Sequence, residues 1–266
     1  MSLPEVAKIR SCIEQVEREE IRLALMAEYL WAARIREVVG KVAATDTYPN
    51  LIYGPIGTDV TLKKYKPKVP ETFKAIQVIY PEAKAQIEEM FQPVDVAVFT
   101  VNIAKRHLEE EEKIHSRLIA LPIDSEYEPW TQELLAYFKD AGSDYVFPFT
   151  RQEVWYWITH KEPVFKGLTY PIEKYVWKPK NKDVILKVLP HDKPFKNHAL
   201  RHLRITELRR DYLFDGLQLA AYAGWSMTHA STQTRTHESY SQQTTTYFPL
   251  YREWQAYFPK LLVKRI

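Results

Sequence analysis

The sequence predicts a mostly helical α+β fold that contains one small antiparallel sheet. Two observations support this prediction. Apolar residues recur at helical spacing near both ends of the chain, as in Val6, Ile9 and Ile13. In the middle of the chain, Val94 to Val101 alternates and is rich in β-branched residues, which is typical of a strand.

The composition is that of an ordinary globular protein. Hydrophobic residues make up 45% of the 266 residues and charged residues 27%, a balance that predicts neither disorder nor a membrane span. The N-terminus lacks a secretory signal pattern and Cys12 is the only cysteine, so we expect a cytoplasmic, reducing environment. The net charge of +3 suits a polyanionic partner without identifying one. No GxGxxG or GxxxxGK[ST] string occurs, so we predict no nucleotide cofactor.

The first half of the chain contains helices followed by a strand pair. Two amphipathic helices are predicted between Pro4 and Val42. Residues from about 48 to 93 are interrupted by six prolines, and we interpret them as an inserted subregion with a helix at Pro81 to Phe91. Strands are predicted at Val94–Val101 and Ser116–Pro122, so that the charged residues between them form the tip of a long hairpin.

The second half is predicted to be helical apart from one loop and the tail. One helix ends at Gly142, the next begins at an N-capping Thr150, and the Lys- and aromatic-rich segment Pro163 to Pro194 is predicted as a loop. The remaining predictions are helices at Asn197–Tyr212 and Gly216–Ala223, a polar tail from Ser226, and an aromatic segment at Tyr251–Leu262.

Two strings in the first half carry candidate chemistry. The first, AARIREVVG, places Arg34 and Glu37 on one helix. The second is the hairpin VAVFTVNIAKRH…SRLIALP, with Lys105 near its turn. Each string is weak by itself, because Arg/Glu pairs on helices and lysines at hairpin tips are usually solvated surface groups.

A third string in the second half is more specific. NHALRHLRITEL brings His198, Arg201 and His202 onto one helix, and QLAAYAGWS then places Trp225 just after the next helix. The order of the three strings, their spacing and their residue types all indicate the same kind of site.

Together the strings resemble the tyrosine recombinase and integrase family. The resemblance rests on HxLRH, on the upstream ARIxEV, on the Lys hairpin, and on GWS where many members have GHS, and it covers about Pro4 to Tyr240. It implies the family's catalytic-domain fold, with residues 1–266 as a single domain and a C-terminal tail of about 241–266. It also implies an enzyme that cuts DNA one strand at a time through a 3′-phosphotyrosyl bond, without metal or ATP.

The residue types suit this chemistry. Attack on a phosphodiester builds negative charge on its non-bridging oxygens, which the guanidinium groups of Arg34 and Arg201 can clamp. The ammonium of Lys105 can protonate the leaving 5′-oxygen. His198 can accept the tyrosine proton or donate to a phosphate oxygen. The indole N–H of Trp225 is a donor that cannot act as acid or base, so Trp225 would orient its neighbours.

Some of these residues have alternative interpretations. Glu37 is expected to support the Arg34 helix and not to touch DNA, and His202 is expected to pack against the helix's neighbours. Trp225 could equally be a core residue, and Lys113 on the other arm of the hairpin competes with Lys105 as the general acid. Lys63 to Lys68 and Lys174 to Lys182 either follow phosphates or form a solvated face.

The position of the nucleophile departs from the family pattern. The family's tyrosine stands about nine residues after the position of Trp225, which here is Thr234 beside Arg235. If QTRTH corresponds to the family's Q-x-Y-T-H, Arg235 replaces the nucleophile and the protein is inactive or altered there. If a short insertion is allowed, HESY supplies Tyr240, which we prefer. Tyr247 is the second candidate, and Tyr251 or Tyr257 are candidates for a tail donated to a neighbouring protomer.

The resemblance also implies partners. We expect double-stranded DNA, self-association as a dimer or tetramer on DNA, a nucleoid-associated location and no membrane. The family's N-terminal core-binding domain, which closes a clamp around DNA, is expected to be absent. Two other functions remain open: a DNA-binding regulatory protein that has lost its nucleophile, and a topoisomerase-like enzyme that nicks and rejoins DNA.

Overall fold

The computed structural model describes residues 3–40, 54–103, 116–166, 168–178, 181–225 and 253–264. The chain divides into two compact units: unit 1 is Met1–Gly54 with Phe147–Leu208, and unit 2 is Pro55–Val146 with Arg209–Ile266. The described α-helices are α1 (Leu3–Glu14), α2 (Glu19–Leu30), α3 (Ile35–Val38), α4 (Glu71–Ile79), α5 (Lys84–Met90), α6 (Trp130–Ala141), α7 (Arg151–Tyr156), α8 (His198–Arg210), α9 (Gly216–Ala223) and α10 (Phe258–Leu261). The described strands are β1 (Val60–Tyr65), β2 (Val94–Asn102), β3 (Ser116–Pro122), β4 (Thr169–Lys178) and β5 (Asn181–Pro194).

The structure is mostly helical with a small three-stranded antiparallel sheet, which confirms the predicted α+β class. The N-terminal helical region, the strand pair and the helices after Thr150 and Asn197 lie where the sequence predicts them. Within the described residues, no helix has the length and apolar character that a membrane span requires.

A buried carboxylate joins three helices of unit 1. Glu207 of α8 accepts hydrogen bonds from Arg10 of α1 (Nη2 to Oε1, 3.0 Å) and from the hydroxyl of Tyr29 of α2 (2.8 Å). Arg204 Nη1, on the same turn of α8, also donates to Glu207, at 2.7 Å, and both side chains are fully buried. The guanidinium groups of Arg10 and Arg204 lie 5.2 and 5.7 Å from the ring centroid of Tyr29. Polar contacts therefore fix the positions of α1, α2 and α8 in addition to apolar packing.

The C-terminal end of α2 is a tight turn with an unusual residue. Ala33 N–H donates to the carbonyl of Glu28 (3.0 Å) and Ala32 N–H donates to that of Tyr29 (2.9 Å), which is the Schellman pattern. Ala32 takes the left-handed conformation, with φ of 47°, where glycine is the usual residue. The turn directs the chain from α2 into Arg34 and α3.

A capping box begins α7, as the sequence predicts. The side chain of Thr150 accepts from Glu153 N–H (3.2 Å), and the carboxylate of Glu153 accepts from Thr150 N–H (2.6 Å). The helix then widens into a π-helical turn over Trp157–Lys161. Hydrogen bonds in such a turn run to the fifth residue along, so residues five apart come to lie on one side.

The prediction of a loop from Pro163 to Pro194 is wrong for most of that segment. Strands β4 and β5 pair as an antiparallel hairpin, from Thr169 opposite Pro194 to Lys178 opposite Asn181. Both strands are edges of this two-stranded sheet, so a proline, which has no N–H, can stand where no partner is needed. The β-branched and aromatic residues of the segment favour strands, and the lysines and prolines obscured that signal.

The three-stranded sheet of unit 2 has the order β1-β2-β3. The predicted pair is present as β2 and β3, in a register that sets Phe99 opposite Ile119. The third strand, β1, comes from the region interpreted as an insertion and pairs with β2, Val60 opposite Phe99. Its side chains are mostly exposed, as expected for an edge strand that carries lysines. The hairpin tip, residues 104–115, lies outside the described residues.

Helices of unit 2 end and begin at recognisable residues. Gly142, with φ of 57°, ends α6 where the sequence predicts, and Phe138 of α6 packs edge-on against Phe99 of the sheet at 5.1 Å. Helix α4 was not predicted and buries no side chain. The helix predicted at Pro81 to Phe91 is a short 3₁₀ turn followed by α5.

The C-terminal aromatic segment covers the free edge of the sheet in unit 2. The hydroxyl of Tyr257 donates to the carbonyl of Leu118 (2.9 Å) and accepts from Ala120 N–H (2.8 Å), both in β3. Its ring packs against Tyr222 of α9 at 5.1 Å and is buried. The segment therefore closes the edge that β3 would otherwise leave open.

We expect Glu207→Ala to lower the free energy of unfolding by about 3 to 5 kcal/mol, because it leaves the buried Arg204 guanidinium without its carboxylate. Urea denaturation followed by circular dichroism measures the change. The control is Arg209→Ala, which removes an exposed charge from the same helix and should change the midpoint little. An equal midpoint for Glu207→Ala and Arg209→Ala would contradict the structural role of the carboxylate.

We expect Tyr257→Phe to lower the free energy of unfolding by about 1 to 3 kcal/mol. The Ala120 N–H and the Leu118 carbonyl both lose their hydrogen bond to the hydroxyl, while the ring stays packed. Thermal unfolding of the variant measures this cost, with Tyr80→Phe at an exposed position as the matched control. Unchanged stability would mean that the hydroxyl is dispensable at the sheet edge.

Candidate functional site

Arg34 and Arg201, predicted as a phosphate clamp, meet at one carboxylate in unit 1. Glu37 is fully buried, and its Oε1 accepts from Arg34 Nη1 at 3.1 Å. Its Oε2 accepts from the backbone N–H of Arg34 at 3.1 Å and lies 3.8 Å from Arg201 Nη1. The carboxylate of Glu37 thus fixes both the side chain and the backbone of Arg34, which is the supporting position expected for it.

The two guanidinium groups differ in exposure. The side chain of Arg34 is 29% exposed, whereas that of Arg201 is 3% exposed. Arg201 Nη1 donates to the carbonyl of Ala32 at 2.6 Å, at the turn that ends α2. A cation beside the terminal carbonyls of a helix is favourably placed for the helix dipole. Arg201 therefore holds the turn from which Arg34 projects, and Arg34 is the group that solvent reaches.

A second buried carboxyl group, Glu28, lies beside this pair and was missed by the sequence analysis. Its side chain is fully buried, and Asn197 Nδ2 donates to its Oε2 at 3.4 Å. The pKa of Glu28 is raised to about 8, chiefly by burial and also by the negative charge of Glu37, while the hydrogen bond from Asn197 and the charge of Arg201 lower it. Glu28 is therefore protonated at neutral pH. Its signal in the sequence is a single carboxyl inside the apolar run LALMAEYL.

The four groups Arg34, Arg201, Glu37 and Glu28 together carry one net positive charge at neutral pH. Arg34 and Arg201 contribute two positive charges, Glu37 contributes one negative charge, and protonated Glu28 contributes none. Because the surroundings are buried, this excess is poorly screened by solvent. The arrangement is suited to attract an anion to the exposed side of Arg34.

His198 lies at the start of α8. It is the first residue of the helix and is exposed, and its ring contacts that of His202 edge-on, with centroids 4.7 Å apart. His202 is exposed too, so the expectation that it packs between helices is wrong. His198 and Arg201 are three positions apart on α8, a spacing that places both on one side of the helix, where His198 is exposed and Arg201 is buried.

Trp225 belongs to unit 2. Its backbone N–H donates to the carbonyl of Ala220 (2.9 Å) in the Schellman turn that ends α9. The indole side chain is half-buried against Ala220. Gly224 before it has φ of 67°, and a Cβ there would lie 2.8 Å from Arg117 Nη1. The glycine of GWS is required by the backbone and by this close approach.

Several predicted residues lie outside the described part of the chain. These are Lys105 and its rival Lys113, the preferred nucleophile Tyr240, and the alternatives Tyr247 and Tyr251. Tyr257 is described and is held in the core of unit 2 by the backbone of β3, a position unsuited to attack on a substrate.

Two further features bear on ligands. The described residues include no group of three or more His, Cys, Asp or Glu side chains that could hold a metal ion. Unit 2 contains an open cavity of about 640 Å³, whose lining includes Tyr65, Phe91, Tyr127 and Leu262. Of the predicted site residues that the structure describes, Arg34, His198, Arg201 and Trp225 do not line that cavity, whereas Lys68 of the basic stretch Lys63 to Lys68 does.

No family model matches the chain, and neither the curated proteins nor the solved structures give a match.

Titration of Glu28 should make the stability of the protein depend on pH. Between its ordinary value of 4.5 and the raised pKa of about 8, the folded protein binds more protons than the unfolded one. The free energy of unfolding should therefore fall as pH rises through this window, by at most about 1.4 kcal/mol per pH unit, and level off above it.

The measurement is urea denaturation of wild type and Glu28→Gln from pH 5 to pH 9. The variant keeps a neutral side chain, so its stability relative to wild type should increase up to about pH 8. Glu19→Gln, at an exposed position on the same helix, is the control and should show no such trend. Parallel pH profiles for wild type and Glu28→Gln would rule out a neutral Glu28.

Proposed function

We propose that this chain is the catalytic domain of a tyrosine recombinase or integrase, an enzyme that cleaves and rejoins DNA strands. The observation that carries the proposal is the shared carboxylate of Glu37. Arg34 and Arg201, which the sequence predicts as a clamp, are 167 positions apart in the chain, and both contact this one group. The excess positive charge of the cluster suits a phosphodiester substrate.

The proposed reaction uses each predicted residue in one step. The hydroxyl of Tyr240 attacks the phosphorus, its proton passes to His198 or solvent, and the bond from phosphorus to the 5′-oxygen breaks. Lys105 protonates that oxygen, which leaves a free 5′-hydroxyl and a 3′-phosphotyrosyl bond. The positive charge of Arg34 and Arg201 stabilises the charge that develops on the non-bridging oxygens, and Trp225 orients neighbouring groups.

Because the phosphotyrosyl bond conserves the energy of the cleaved linkage, rejoining needs no nucleotide. The partners in this proposal are double-stranded DNA and further copies of the chain, since strand exchange between two sites requires several protomers. A nucleoid-associated location belongs to the same proposal.

A second candidate is a DNA-binding regulatory protein that does not cleave. The observation that favours it is Thr234 beside Arg235 in the register of the family's tyrosine. In that protein the arginine cluster would bind phosphate without a nucleophile beside it.

A nicked suicide duplex distinguishes these candidates. Wild type is expected to give a covalent protein-DNA band that disappears in Tyr240→Phe, and mass spectrometry of the trapped peptide identifies the attached residue. Absence of the band from wild type under all salt and pH conditions, with duplex binding retained, would favour the regulatory protein. Attachment at another tyrosine would retain the enzyme and correct the nucleophile.

We expect Arg34→Ala to lower the rate of adduct formation by about 100-fold or more, because it removes the exposed donor to the developing charge. Arg34 is a cleaner test than Arg201, since Arg201→Ala would also release the turn at Ala32. The control is Arg22→Ala, which removes a guanidinium from the surface of α2 and should react at the wild-type rate. Equal rates for Arg34→Ala and Arg22→Ala would refute the clamp.

A further inference from the structure

Two adjacent aromatic side chains are exposed where α7 passes into the π-helical turn. Trp155 is 47% exposed and Tyr156 is 45% exposed. Large aromatic side chains leave water when a partner covers them, so two neighbours with nearly half of their surface exposed indicate a binding surface.

His160 joins the two aromatic rings into one cluster. Its imidazole stacks on Tyr156, with centroids 4.8 Å apart and planes at 17°, and meets Trp155 edge-on at 5.5 Å. Trp155 lies five residues before His160, and the wide π-helical turn brings residues at that spacing together. The rings of Trp155, Tyr156 and His160 therefore form a continuous surface, which we call the aromatic platform.

The orientation of His160 is fixed by a neighbouring hydroxyl. Thr159 Oγ1 donates to the carbonyl of Trp155 at 2.7 Å, and it lies 2.7 Å from His160 Nδ1. The tautomer of His160 decides which of the two groups donates in the second contact. The imidazole is thus held in place beside the rings instead of rotating freely.

An ammonium group lies beside the platform. Lys161 Nζ lies 5.9 Å from the centroid of Tyr156, and Lys166 is exposed a few residues later. Of the acidic residues in this segment, Glu153 is engaged in the helix cap and Glu162 is buried. Residues 151–166 thus expose two lysines, Lys161 and Lys166, and one carboxylate, that of Glu153, and this balance favours an anionic ligand.

We infer that the aromatic platform of Trp155, Tyr156 and His160 binds single-stranded DNA, by stacking on an unpaired base while Lys161 contacts the backbone. Every base has a flat π-face that stacks on aromatic rings, and adjacent lysines pair with phosphates. The inference rests on the proposed function only in taking DNA as the partner. It concerns a different surface from the arginine cluster, and strand cleavage produces unpaired ends.

The test is equilibrium binding of a fluorescein-labelled oligothymidylate of about 12 nucleotides, followed by fluorescence anisotropy. The matched probe is an abasic strand of equal length and charge. Wild type should bind the thymidylate more tightly than the abasic strand, and Trp155→Ala and Tyr156→Ala should each weaken thymidylate binding by about 5- to 100-fold. Both variants should leave abasic binding nearly unchanged.

Two controls separate stacking from charge and from folding. Lys161→Ala should weaken binding of both probes and lower the salt dependence by about one phosphate contact. Tyr80→Ala removes an exposed aromatic side chain from α4's C-terminal end in unit 2 and should bind like wild type. Trp155→Phe should restore much of the affinity that Trp155→Ala loses.

Equal affinity of wild type for the two probes would overturn the inference, as would unchanged binding by Trp155→Ala. A platform that serves a protein partner would give that result. Failure of the proposed function is a separate outcome: if wild type forms no covalent adduct with the suicide duplex but still binds the thymidylate more tightly than the abasic strand, the proposed function fails and the platform stands.

Discussion

Burial of the guanidinium groups of Arg201 and Arg204 is the constraint on which the rest of unit 1 depends. The two residues lie one turn apart on α8, and each must be given oxygen partners, because an unpaired buried charge costs several kcal/mol. Arg204 has Glu207, and through that carboxylate it is connected to Arg10 of α1 and Tyr29 of α2. Arg201 has the carbonyl of Ala32 and the carboxylate of Glu37. The positions of α1, α2 and α3 around α8 follow from these requirements.

The same constraint explains the protonation of Glu28. A second ionised carboxylate beside Glu37 would repel it, and burial makes that repulsion expensive, so the side chain stays neutral at neutral pH. A neutral Glu28 still accepts from Asn197 and fills the space beside Arg201. Had it been ionised, the two carboxylates would cancel the two guanidinium charges and the cluster would offer an anion little attraction. Its buried position thus preserves the charge that the proposed chemistry needs.

Local signals in the sequence were sufficient to predict most of the helices. Gly142 ends α6 and Thr150 begins α7 as predicted, because turn and cap chemistry depend on near neighbours only. The β4 and β5 hairpin and strand β1 were missed, since their lysines and prolines resemble solvated loops until a partner strand is known. Arg34 and Arg201 were found through their strings. Glu28 and the aromatic platform were not, because their significance depends on burial and exposure that a single sequence does not reveal.

Arg34 and Arg201 differ in exposure, so they have different roles in the proposed clamp. Arg34, at the surface, is the residue that a phosphate can reach, and it would exchange part of its contact with Glu37 for the phosphate oxygens. Arg201 is held by Ala32 and is nearly inaccessible, so in this arrangement its contribution is positional and electrostatic. It acts on the same carboxylate that holds Arg34, and its charge acts through a poorly screened interior. An interior cation that needs no rearrangement during the reaction is the kind of preorganised group that stabilises developing negative charge most effectively. The shared carboxylate of Glu37 is therefore a link between the two cations as well as a counter-ion, and its removal should disturb the position of one arginine and the environment of the other together.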